Sequence, residues 1–176
     1  MTEYFDVIDD NNKVIGKASR DECHKKGLLH RGIYIIVVNS EGKILMQKRS
    51  MKKDLHPGLW TTSVSGHVDS GEHYEQAAKR EMMEEIGITA KLSEILKFSF
   101  KDTSTKNRCD HEINKIFLTK NNGPFEPNKD EVDKLEFFSA QKILEMIETG
   151  YLTPQASEVM KRLIKSPELL KRLRLS

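Results

Sequence analysis

Three glutamates, Glu81, Glu84 and Glu85, stand close together in the run GHVDSGEHYEQAAKREMMEEIGI, residues 66–88. An α-helix turns about 100° per residue, so their spacings of three and four gather the carboxylates into one arc. Like charges at such spacings oppose each other by about 0.2–0.5 kcal/mol per pair in an isolated helix. A divalent cation removes that opposition, and an all-oxygen ligand set suits Mg²⁺ or Mn²⁺. A cation held there would neutralise a phosphate and acidify water beside it, so the pattern points to metal-assisted cleavage of a phosphate linkage. Glu81 and Glu84 are the candidate general bases, and the spacing alone does not separate them. Gly66, ahead of the glutamates, predicts a loop whose backbone can approach a diphosphate closely. An acidic helix taken alone reads as a solvated face. Here Gly66, Glu72 and Arg80 favour the metal site, with Arg80 orienting a neighbouring carboxylate such as Glu72.

The helix that must carry these groups is expected over residues 73–86. Tyr74, Ala78, Met82 and Ile86 recur every four residues and give it an apolar stripe, and Gly87 is a helix stop. A short strand, 61–65, is expected to lead into the Gly66 loop. Upstream, segments 4–8 and 13–18 flank Asp9-Asp10-Asn11-Asn12 and read as a hairpin. A short helix, capped by Ser19 or Asp21, should follow over 19–26. Strands are expected at 32–38 and 43–48 about the turn Asn39-Ser40-Glu41-Gly42, then a Pro-Gly loop at 55–60. Further strands are expected at 91–101, 114–118 and 135–138, with a proline-rich loop over 121–130. Ser139 caps a helix over 140–148, and a last helix starts at Thr153 or Ser157 and ends near Ile164. The basic tail 166–176 reads as a closing helix or a frayed end. Alternation of strands and helices implies a mixed sheet between helical layers. Trp60, Phe98, Phe100 and Tyr151 are expected to pack in the core rather than clamp a base.

The chain has 176 residues and a formal net charge of +2, enough length for one compact domain and too little charge for a dedicated nucleic-acid footprint. Its two cysteines, Cys23 and Cys109, make neither a disulfide framework nor a zinc-finger pattern. No apolar stretch is long enough to span a membrane and none follows Met1 as a leader would, so a cytoplasmic location without a membrane partner is the expectation.

Run 66–88 resembles the Nudix box, G-x5-E-x7-R-E-U-x-E-E-x-G-U with U aliphatic, at every fixed position when Met82 is taken as the first U. The resemblance implies an α/β (α+β) Nudix fold, an α/β/α sandwich around a mixed sheet. It implies a single domain over 1–176, with an N-terminal hairpin at 4–18, the box at 66–88 and C-terminal helices at about 139–175. It implies a hydrolase in which Glu81, Glu84, Glu85 and the Gly66 carbonyl hold Mg²⁺, with Mn²⁺ as the alternative. The substrate would be a small-molecule diphosphate of nucleoside-diphosphate type or a relative, and homodimers are common among such proteins. Beyond the box, DECHKKGLLHR (21–31), strands 33–49 and LHPGLWTTSVSGHVDSGE (55–72) are similar to the subgroup containing type 1 isopentenyl-diphosphate isomerases and their hydrolase relatives. On that likeness His24, His30, His67 and Glu112 fall at metal-ligand positions, and Asp110 stands where the isomerases have a glutamate. Glu112, expected on a loop outside the box, would be a further ligand or the base itself. Arg49 and Lys53 fall at diphosphate contacts, although the Lys48-Arg49 and Lys52-Lys53 pairs also read as a solvated edge.

The departures favour hydrolysis over isomerisation. The isomerase cysteine aligns with Ser65, and a serine hydroxyl is a poor donor to an allylic carbon. The isomerase tyrosine appears as Phe100 and its tryptophan as Gln155. A third class, a ligand-sensing module on the same fold, usually lacks box carboxylates that are all present here.

Overall fold

The protein is described here from a computed structural model that covers residues 2–53, 55–103 and 108–173. Strands β1 (Tyr4–Ile8) and β2 (Val14–Ser19) form an antiparallel hairpin. Asp9 Oδ1 closes its turn by accepting from the N–H groups of Asn11 and Lys13 at 3.0 and 2.9 Å. Helix α1 (Arg20–Lys26) follows at once, with Ser19 capping the Glu22 N–H and Gly27 in the left-handed conformation at its end.

The main sheet has seven strands: β3 (His30–Val38), β4 (Ile44–Arg49), β5 (Trp60–Thr61), β6 (Val64–His67), β7 (Ser93–Asp102), β8 (Asp110–Lys120) and β9 (Val132–Phe138). β3 lies at its centre. It pairs parallel with β8 on one side, and antiparallel with β6 and with the start of β4 on the other. The parallel register sets His30 beside Glu112 and Gly32 beside Asn114. The antiparallel register sets Gly32 beside His67 and Ile33 beside Gly66.

Side chains of a strand alternate between faces, and both faces of β3 are apolar. Ile33, Ile35 and Val37 pack with Ala77, Ala78, Met82 and Ile86 of α2 (Tyr74–Ile86). Tyr34, Ile36 and Val38 pack with Ile143 and Met146 of α3 (Ala140–Glu148) and with Ala156, Val159, Met160 and Leu163 of α4 (Pro154–Ile164). Met82 and Ile86 are buried completely or nearly so, and each such side chain contributes about 1.5–3 kcal/mol. The result is a helix–sheet–helix sandwich, closed by α5 (Pro167–Leu173). No helix among the described residues is long and apolar enough to cross a membrane.

Four expectations are corrected. The segment expected as one strand at 61–65 is two short strands, separated by Thr62 and Ser63. Both are buried, and Ser63 Oγ donates to Leu45 O at 2.6 Å while accepting from the Val37 N–H at 2.8 Å. Gly66 therefore lies on β6 and not in a loop. β8 starts at Asp110 rather than near Asn114, which puts Glu112 on a strand. Tyr151 is 59% exposed. It lies on the link between α3 and α4, where its carbonyl accepts from the Trp60 N–H at 2.9 Å and its ring stays outside the core.

Candidate active site

α2 sets its carboxylates beside β6. Glu81 packs directly on Gly66, where a Cβ would stand 2.7 Å from Glu81 Cγ and nearer still to its carboxyl. The missing side chain at position 66 thus makes room for Glu81, which is the close approach the glycine serves. Glu85 is buried, and its Oε2 has no hydrogen-bond partner among the described residues. Burial pushes its carboxyl well up, Glu81 and Glu131 add to that, and Lys53 opposes it. Glu84 is the outermost of the three, its side chain 56% exposed.

Arg80 binds this group together. Its guanidinium donates to both oxygens of Glu72 at 3.2 and 2.9 Å, to Glu81 at 2.7 Å, to Glu84 at 3.2 Å and to the His67 carbonyl at 3.1 Å. One cation against three carboxylates leaves excess negative charge, and Glu85 Oε2 is an orphaned buried acceptor. The donor set therefore fits a divalent cation.

Burial raises the Glu81 carboxyl to about 7, with Arg80 opposing and Glu84 reinforcing the shift. Without a cation, the folded state keeps a proton here that the unfolded state releases. This group's contribution to stability is therefore full below about pH 4.5 and is lost as pH rises through about 7. His24 and His30 act oppositely, because burial keeps them neutral in the fold. Unfolding lets them bind protons below their ordinary 6.5, so their contribution is lost as pH falls below it. The difference between the wild type and Glu81→Gln isolates the carboxylate. Urea unfolding in chelator from pH 5 to 8 should show the wild type losing stability relative to Glu81→Gln as pH rises. Parallel curves would refute the assignment.

On the other face of β6 lies a nest of imidazoles. His24 comes from α1, His30 from β3 and His67 from β6, and their ligand atoms lie within 4.8 Å of one another. Phe5 of β1 stacks on two of the rings, 5.2 Å from His30 and 4.6 Å from His67 between centroids. His30 Nδ1 donates to the Leu28 carbonyl at 2.8 Å, which leaves the lone pair on Nε2. That Nε2 and Glu112 Oε2 are both buried without a hydrogen-bond partner among the described residues. Glu112 Oε1 lies 3.1 Å from His67 Nε2 and 3.6 Å from His30 Nε2, and Asp110 Oδ1 lies 3.2 Å from His24 Nε2.

Burial, then the charges of His67 and Arg108, brings His24 down to about 3. Burial, then His67, brings His30 down to about 4 against the pull of Glu112. Burial works to raise Glu112, but the hydrogen bond and charge of His67 outweigh it, with His30 and Asn114 helping, and bring it down to about 2. His24 and His30, kept neutral by burial, beside the ionised Glu112 form a donor set suited to a transition metal or Mg²⁺.

A cleft of about 450 Å³ joins the two groups. His24, Arg49, Lys53, Gly66, His67, Glu81, Glu84, Glu85 and Glu112 line it, while His30 lies fully buried behind its wall. The basic residues divide by position. Arg49, whose Nε donates to Leu55 O at 3.0 Å, lines the cleft with Lys53, whose Nζ donates to Glu131 at 3.0 Å. Lys48 pairs with Asp133 at 3.4 Å away from the lining. Sequence reading missed Phe5 and Glu131. The hairpin's alternation marks Phe5 as inward-facing, whereas nothing in the sequence marks Glu131.

The NUDIX domain family matches residues 28–163 of the chain. An uncharacterized Nudix hydrolase of Yersinia pestis is 34% identical over 144 residues, 81% of this chain and 76% of that protein. An isopentenyl-diphosphate Delta-isomerase of Serratia proteamaculans is 34% identical over 118 residues, 67% of this chain and 66% of that one. Among solved structures, the DR0079 protein of Deinococcus radiodurans superposes with a TM-score of 0.77 at 23% identity, covering 91% of this chain and 98% of that one, a likeness of fold.

Proposed function

The chain belongs to the Nudix family, and from that premise we propose that it is a divalent-cation-dependent hydrolase that cleaves the diphosphate linkage of a nucleoside-diphosphate-type or related small molecule. The observation that carries this reading is the complete acidic set on α2, with Glu81 seated on Gly66 and Glu85 Oε2 left without a partner. Glu81, Glu84, Glu85 and the Gly66 carbonyl would hold Mg²⁺ or Mn²⁺. His24, His30, His67 and Glu112 would hold a second ion. Such an ion supplies charge neutralisation for the diphosphate and a more acidic water next to it.

The chain's own groups do the rest. Arg49 and Lys53 bind phosphate oxygens and align the linkage. Glu81 or Glu84 takes a proton from the attacking water as its oxygen bonds to phosphorus. The phosphorus–oxygen bond of the anhydride breaks, and the phosphate group departs with the bonding pair. Arg80 keeps Glu81 and Glu84 turned toward the reacting centre. Glu112, held ionised among imidazoles, serves as a ligand or as the base.

The imidazole nest and the likeness to the Serratia protein favour a second reading, isopentenyl-diphosphate isomerisation. Against it stands Ser65, which lines the cleft at the position of the isomerase cysteine. A panel of diphosphate compounds with Mg²⁺ or Mn²⁺ separates the two. Phosphate or monophosphate release is expected. Formation of dimethylallyl from isopentenyl diphosphate without phosphorus–oxygen cleavage would overturn the hydrolase reading.

A further inference from the structure

Where the first turn of α4 meets β7 and β8, the Gln155 amide bridges two carboxylates. Its Nε2 donates to Asp102 Oδ2 at 3.3 Å and to Asp110 Oδ2 at 2.9 Å. Asp102 and Asp110 are register partners across β7 and β8. Thr153 caps the helix start, its hydroxyl accepting from the Ala156 N–H at 3.2 Å, and Pro154 stiffens the first turn. Gln155 is therefore held from both sides. With Nε2 engaged twice, its Oε1 accepts no hydrogen bond from any described residue. Gln155 and Asp110 both line the cleft.

In this sector Gln155 Oε1 and the Asp110 carboxylate offer acceptors beside the Arg108 guanidinium, which also lines the cleft. Acceptors recognise donors, and the donor a diphosphate compound offers beyond its phosphates is a hydroxyl group. A hydrocarbon chain would strip the same acceptors of water and return no bond. It would also find little to pack on, because Phe5, Tyr34 and Leu55 are the side chains that offer it apolar surface among the described lining residues.

We propose that Gln155 is a specificity-determining residue that, with Asp110, selects diphosphates whose attached group carries hydroxyls, as a sugar does, over those carrying a hydrocarbon chain. The inference rests on the hydrolase reading for its chemistry but concerns a different part of the cleft.

The test compares kcat/KM for UDP-glucose, ADP-ribose and isopentenyl diphosphate in wild type, Gln155→Met and Gln155→Asn, with Mg²⁺. Wild type should favour a sugar-bearing compound over isopentenyl diphosphate. In Gln155→Met, similar in size but without polar side-chain atoms other than sulfur, that preference should fall about 10-fold, mainly through KM. Gln155→Asn, which keeps a retracted amide, should lose less and carries the test if the methionine variant does not fold by circular dichroism. Equal losses on both kinds of compound, or a wild type that prefers isopentenyl diphosphate, would overturn the proposal. If wild type cleaves nothing, the hydrolase reading fails by itself. Calorimetry of the same compounds with Ca²⁺ then decides: binding of a sugar diphosphate that Gln155→Met weakens supports the role of Gln155, and unchanged or absent binding refutes it.

Discussion

Glu84→Gln is expected to lower kcat by about 10³- to 10⁴-fold, as loss of a metal ligand or general base does, with little change in thermal midpoint. The two outcomes separate because of where Glu84 stands. Its side chain is 56% exposed, and its one ion pair among the described residues is with Arg80 at 3.2 Å. Exposed pairs of that kind are worth about 0–1 kcal/mol, so the fold has little to lose. Arg80 keeps its bonds to Glu72 and Glu81 in the variant, which leaves the rest of the group in place. Steady-state kinetics with a Mg²⁺ titration, beside thermal unfolding in chelator, would measure both. Full activity in Glu84→Gln would remove the α2 carboxylates from the chemistry.

The second large effect is expected at Gly66. In Gly66→Ala the new methyl would overlap the Glu81 side chain, so Glu81 must leave its place or β6 must shift. Overpacking of this sort costs about 1–3 kcal/mol, and activity should fall about 10²-fold or more because small misplacements of a reacting group are amplified in rate. A double-mutant cycle makes the cause explicit. With Glu81→Ala in the same chain the clash is gone, so the pair should be more stable than the sum of the single effects predicts, while activity stays low. Additive stabilities would mean that Gly66 serves the strand backbone and not Glu81.

Much of this site is legible in the sequence, and what is hidden is hidden for physical reasons. The spacing of Glu81, Glu84 and Glu85 fixes their arc because helical geometry leaves no choice, and Ser19, Ser139, Gly27 and Gly87 mark helix ends through local hydrogen bonding. Glu112 is harder to place. The opening of β8 reads Asp110-His111-Glu112, with Asn114 soon after, and such residues depress strand propensity. They stand on a strand because its inward positions hold the site's polar groups, so the chemistry erases the pattern that would reveal the element. Gly66 misleads in a related way. Its lack of a side chain suggests a loop, yet it answers to Glu81 of α2, fifteen positions later in the chain. The hold of Arg80 on Glu72 was legible, since the motif pairs them. Its simultaneous hold on Glu81, Glu84 and the His67 carbonyl depends on side-chain geometry that spacing does not encode.

The pairing of His30 with Glu112 on adjacent parallel strands has a consequence for strand alignment. A slip of one residue between neighbouring strands would turn every side chain of one strand to the opposite side. In a slipped chain Glu112 would face the apolar layer under α2 while His30 kept its place, and the imidazoles would lose their acid. The nest is therefore specific to one strand alignment: a molecule slipped by one residue would lack the juxtaposition of His30, His67 and Glu112.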